Sequence, residues 1–175
     1  MTFLDLARRR CSVRAYRPDP VPDEVLATVL EAGRIAPTAA NRQPFRIVVI
    51  RTAGREDELR RIYDRDWFVQ APLVLCVCAV RGEAWRRTMY DGRSHADVDA
   101  AIVMDHMILA AADLGLGTCW IAAFDPIAAR EVLAVPDEGE PMLFTPLGYP
   151  AGAGVASERH LQRRPLEDLV RYERW

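Results

Sequence analysis

The chain has 175 residues, half of them apolar and 27% charged, with 23 basic against 25 acidic side chains. That length and balance suit a single domain over residues 1–175 with a real core, and argue against the broad basic face of a nucleic-acid-binding protein. No apolar run approaches the roughly 20 residues that span a bilayer, and the first five residues do not begin a signal peptide, so a cytoplasmic protein with no membrane partner is expected.

Thr2 can cap a short helix over TFLDLARRR. Pro22 and two acidic residues open a longer one in VPDEVLATVLEAGRIAP, with Val25, Leu26, Val29 and Leu30 on one face and Pro37 as its stop. The apolar, β-branched runs FRIVVI and PLVLCVCAV predict two interior strands separated by the polar helix REDELRRIYD. HADVDAAIVMDHMILAAADLG is apolar on nearly every side apart from Asp99, Asp105, His106 and Asp113, which predicts a helix buried in a core or a dimer interface and ended by Gly115. TCWIAAF and MLFTPLGYP predict strands flanking the helix DPIAAREVLAV, and a short helix PLEDLVRYE closes the chain. Such alternation gives an α/β or α+β sandwich with helices on both faces of one sheet.

Cys11, Cys76, Cys78 and Cys119 are too few for a disulfide scaffold and are read as reduced. Cys76 and Cys78 fall on the same face of a strand, where core filling is preferred to a redox pair. His95, His106 and His160 never approach zinc-ligand spacing with a cysteine, so no metal site is expected.

Three stretches do not read as packing. Arg10, Ser12 and Arg14 occupy alternate positions after the first helix, so in extended backbone they point to one side and can converge on a phosphate monoester; the alternative is a solvated helix end that complements the helix dipole. Asn41 and Gln43, in a loop before a strand, carry donors and acceptors able to read a planar heterocycle. Gly115 and Gly117 allow close backbone approach, but GLGTCW lacks the third glycine of a dinucleotide fingerprint and follows a helix instead of a strand.

Taken together these stretches resemble the FMN-dependent nitroreductases. The resemblance rests on Arg10-Cys11-Ser12-Val13-Arg14, Ala36-Pro37-Thr38-Ala39-Ala40-Asn41-Arg42-Gln43-Pro44-Phe45, Leu114 to Ile121, and Arg163-Arg164-Pro165-Leu166-Glu167, in that order. It implies an α+β fold with a central mixed, largely antiparallel sheet, and a homodimer with tightly bound FMN at its interface. It further implies that Arg10 and Ser12, joined by Arg163, hold phosphate and ribityl oxygens within the Cys11-containing segment, with Arg14 near the pyrimidine edge. Pro37, Thr38, Ala39 and Asn41 would approach the flavin from the partner subunit, Gln43 would be a further cofactor-binding residue, and Trp120, Ile121, Ala122 and Ala123 would pass the flavin's reactive edge, a backbone N–H donating to N5. The implied reaction carries hydride from NADH or NADPH through flavin N5 to a small acceptor such as a nitroaromatic or quinone, and no side chain is assigned as a catalytic acid or nucleophile.

The chain departs from the family pattern at several points. Ala122-Ala123 stands where many members have Glu-Gly or Gly-Ala, and Leu161 where larger members carry a second basic residue that Arg159 or Arg164 could replace. The stretch between Val80 and Asp99 is short, and Asp99, where some relatives place a flavin-contacting glutamine, reads as an ordinary polar residue of a helix. Three competing readings stay open: another flavin reaction on the same fold (fragmentation, dehalogenation or azoline oxidation), a flavin-binding protein without turnover, and an interaction module whose arginines meet acidic partners.

Overall fold

The computed structural model describes residues 2–152, 160 and 162–175. In chain order its elements are α1 (Phe3–Arg9), α2 (Asp23–Arg34), a 3-10 turn (Ala39–Asn41), β1 (Phe45–Arg51), α3 (Glu56–Ile62) and α4 (Asp66–Gln70). Then come β2 (Leu73–Val80), α5 (Ala96–Asp113), β3 (Gly117–Thr118), α6 (Pro126–Val132), β4 (Gly139–Gly148) and α7 (Leu166–Leu169).

Strand β2 has no polar side chain in LVLCVCAV, and all eight residues are buried because helices cover both faces of the sheet. Its neighbours β1 and β4 are antiparallel to it, and the order is β1-β2-β4-β3. All pairings among the four strands are antiparallel, in keeping with the largely antiparallel sheet expected, and among the described residues one isolated parallel bridge, Ser12 to Thr118, flanks them. Strand alternation sorts the core into two halves. Leu73, Leu75 and Val77 face α2 and α5, packing with Val29, Met104 and Met107. Val74, Cys76 and Cys78 face α3, α4 and α6, packing with Leu59, Phe68 and Phe144. Phe144 stands edge-on to Phe124 at 4.7 Å and to Phe68 at 6.4 Å; each such buried side chain contributes about 1.5–3 kcal/mol.

Several expectations need correction. β1 is an edge strand and not an interior one: among the described residues it pairs on one side only, with Arg46, Val49 and Arg51 exposed. TCWIAAF does not form a full strand. Its ladder stops after Thr118 because the Cys119 N–H donates to the Thr145 hydroxyl (3.1 Å) in place of a backbone carbonyl, and pairing resumes only where Ile121 and Phe144 exchange bonds of 2.9 and 3.0 Å. The closing helix is four residues long, and α2 stops at Arg34, three residues before Pro37. Helix α4 was not foreseen. Cys76 and Cys78 are buried with sulfurs 3.7 Å apart, in the core position read for them. Among the described residues no helix is long and apolar enough to cross a membrane.

Candidate functional site

The basic stretch is delivered by α1. Thr2 and Asp5 form a reciprocal cap, Asp5 N–H donating to Thr2 Oγ1 (3.2 Å) and Thr2 N–H to Asp5 Oδ2 (3.0 Å), which fixes where the helix begins. It ends at Arg10, whose extended backbone (φ −59°, ψ 124°) sends the chain alongside β3. There Val13 N–H donates to Thr118 O at 2.8 Å, and the buried Val13 side chain packs on Gly117. With Val13 turned inward, the alternate residues Arg10, Ser12 and Arg14 form a ridge.

Cys119 lies beside this ridge and feels its charges. Burial pushes its thiol up, and the Arg14 charge, a Ser12 hydrogen bond and the Arg10 charge pull it back. The Arg14 guanidinium also lies 5.8 Å from the Trp67 ring centre. Among the described residues neither Arg10 nor Arg14 makes an ion pair with a carboxylate. Cys11 is half-buried and, with Arg10, Leu116 and Thr118, lines a cavity of about 210 Å³. The C-terminal segment returns to the same region. His160 Nε2 donates to Arg8 O (2.7 Å), and Arg163 Nη2 reaches His160 Nδ1 at 3.5 Å. Arg164 is exposed, and Arg159 and Leu161 lie outside the described residues.

The second group of expected residues sits on a tight loop. Ala40, Asn41 and Gln43 all have φ of 52°, a left-handed backbone that costs a non-glycine residue about 1–3 kcal/mol. Local bonds hold it: Asn41 N–H donates to Thr38 O (2.9 Å) and Gln43 N–H to Thr38 Oγ1 (3.0 Å). Gln43 Nε2 donates to Asn41 Oδ1 at 3.2 Å, so the two amides pair with each other; Asn41, Gln43 and Pro37 are all exposed, and among the described residues Asn41 Nδ2 and Gln43 Oε1 make no hydrogen bond. Ala39 N–H donates to Asp99 Oδ1 at 2.9 Å. Asp99 is therefore not an ordinary polar helix residue, because it lies on the buried face of α5. The only sequence signal for this was its place in an otherwise apolar stripe.

The third group runs past β3. Ile121 is buried by its pairing with Phe144, whereas Ala122 and Ala123 are exposed and, among the described residues, their N–H groups make no hydrogen bond. Trp120 is 39% exposed and borders the outer face of α5 with Val98 and Ile102.

The structure thus brings Arg10, Ser12, Arg14 and the 118–119 backbone together, and leaves Pro37, Thr38, Ala39, Asn41 and Gln43 elsewhere. Arg9 Nη2 donates to Ala112 O near the end of α5, while Ala39 is tied to Asp99 near its start, about 20 Å away along the helix.

The motif order agrees with a known family. The sequence model of the Nitroreductase family matches residues 7–67 and 58–149. The chain belongs to the nitroreductase family. A family protein of solved structure from Clostridium difficile 630 is 38% identical and superposes over 100% of both chains with a TM-score of 0.88. A protein named NADH dehydrogenase from Thermus thermophilus is 31% identical, the match covering 94% of this chain and 92% of the relative. One named FMN reductase (NAD(P)H) from Bacillus subtilis is 28% identical over 85% of this chain and 66% of its own length.

Proposed function

We propose that this protein is a homodimeric oxidoreductase that binds FMN, takes hydride from NADH or NADPH and delivers it to a small acceptor such as a nitroaromatic or quinone. The carrying observation is the ridge of Arg10, Ser12 and Arg14, set beside β3 by the Ser12–Thr118 bridge and the Val13–Thr118 bond and, for both arginines, without a carboxylate partner among the described residues. A phosphate monoester needs guanidinium and hydroxyl donors side by side, and Arg10 and Ser12 supply them. A flavin ring needs donors at its edge, which the Ala122 and Ala123 N–H groups and Asn41 Nδ2 can provide. The residues present fit the cofactor, and the relatives named for NADH and FMN chemistry agree with it.

When bound, FMN would supply a ring that accepts and returns a hydride. Arg10, Ser12 and Arg163 would hold its phosphate end. Arg14 would put a permanent positive charge near the pyrimidine edge, where negative charge accumulates on reduction, and so favour the reduced state. The exposed Ala122 and Ala123 leave the neighbouring space open to a substrate without an acidic side chain beside it.

Reduction by NADPH or NADH under anaerobic conditions tests this reading. The FMN-loaded protein should lose its flavin absorbance on adding reductant and regain it on adding menadione or nitrofurazone, with parallel double-reciprocal lines in the steady state. A protein that binds FMN but is not bleached by either nucleotide would be a flavin carrier instead.

The dimer is supported by the separation of the two groups along α5 and by exposed apolar side chains: Val98 on that helix, Trp120 beside it after β3, and Leu166, Leu169 and Trp175 on the C-terminal segment. Such interfaces commonly bury more than about 2,000 Å². Sedimentation of the FMN-loaded protein should show a dimer that persists on dilution and loses FMN when it dissociates; a monomer that keeps FMN would overturn the shared site.

A further inference from the structure

Asp99 is 1% exposed, on a face of α5 otherwise made of Ala96, Ala100, Val103 and Met104. One carboxylate oxygen accepts the Ala39 N–H from a residue 60 positions away. The other, Oδ2, is buried with no hydrogen-bond partner among the described residues. An uncompensated buried carboxylate oxygen is unfavourable, and an apolar side chain would suit the surrounding core better. Something offsets that penalty.

The loop it touches supplies the reason. Between Thr38 and Gln43 every other hydrogen bond among the described residues is local, linking residues within the turn or to Phe45. Among the described residues only Asp99 ties the turn to an element that does not directly follow it in the chain, and it does so at the residue preceding the left-handed Ala40 and Asn41. A strained turn persists when its surroundings over-determine it. We infer that Asp99 is the positioning residue of this loop: Oδ1 anchors the Ala39 amide to the core helix and so holds Asn41 and Gln43 in one presentation for the flavin ring. The flavin part rests on the function proposed above, whereas the anchoring does not.

Three variants separate the roles. Asp99→Asn keeps an oxygen that can accept from Ala39. Asp99→Leu removes it while keeping the same branched skeleton, with bulkier methyl groups in place of the oxygens. Ala39→Pro removes the donor instead, and Thr38, extended at φ −130° and ψ 156°, tolerates a following proline, so this variant decides the matter if Asp99→Leu does not fold. In the flavin-free protein, amide hydrogen exchange at Asn41 and Gln43 should stay near that of the parent in Asp99→Asn and rise at least about tenfold in Asp99→Leu and Ala39→Pro.

Titration should then show FMN and riboflavin weakened alike, roughly tenfold, in Asp99→Leu and Ala39→Pro, with Asp99→Asn within about threefold of the parent. Unchanged exchange in Asp99→Leu or Ala39→Pro overturns the anchoring. Flavin affinity that is unaffected by both variants, or not rescued in Asp99→Asn, overturns the positioning role. If the parent itself binds no flavin the proposed function fails, and the exchange data still decide the anchor.

Discussion

Replacing Arg10 or Arg163 by alanine should weaken FMN binding roughly tenfold or more, because each removes a charge-assisted hydrogen bond to phosphate worth about 1.5–3 kcal/mol. Riboflavin, which has no phosphate, should bind both variants nearly as it binds the parent. That contrast separates phosphate recognition from general damage. Arg10 is a favourable test because α1 ends there and its backbone bond to Leu6 O (2.9 Å) does not depend on the side chain. The Arg163 arm asks whether the contact through His160 to Arg8 brings the C-terminal segment to the same anion. FMN isotherms of both variants that overlay the parent would show that this ridge does not hold phosphate.

A larger effect on stability is expected from Gly117→Ala. A Cβ at this position would lie 2.9 Å from Cβ, Cγ1 and Cγ2 of Val13, with no flexible side-chain end to give way. Overpacking of this kind costs about 1–3 kcal/mol, which for a chain of this size lowers Tm by roughly 2–12 °C. The consequence reaches the site, because Val13 is the inward residue between Ser12 and Arg14 and its displacement moves the ridge off β3. FMN affinity should fall with Tm. Gly82→Ala is the control, since a Cβ at Gly82 meets nothing within 4 Å and its Tm should stay at the parent value. Equal melting and equal FMN affinity in the two variants would mean that the strand-to-ridge contact is not what orients the arginines.

Elements whose identity depends on short-range pattern were legible without coordinates. The Thr2 cap, the alternation that puts Cys76 and Cys78 on one side of β2, and the apolar run of α5 all follow from residues within one turn or one strand of each other. So did the alternation of Arg10, Ser12 and Arg14, which needs only extended backbone to become a ridge. The family resemblance lay in the order of short motifs, each of them local, and the match over residues 7–149 agrees with it.

What only the tertiary structure decided depends on partners far away in the chain. Whether β1 is central or at an edge is a matter of which strands pair with it, and its own β-branched residues cannot encode that. TCWIAAF is shortened because Thr145, distant in sequence, offers a hydroxyl where a strand would need a carbonyl. Asp99 looked like any polar residue on a helix until a turn 60 positions away was seen to place an amide against it. Its role comes from packing between distant segments: hydropathy shows which faces seek burial, and the assembled core determines which polar group is buried with them and what it meets there.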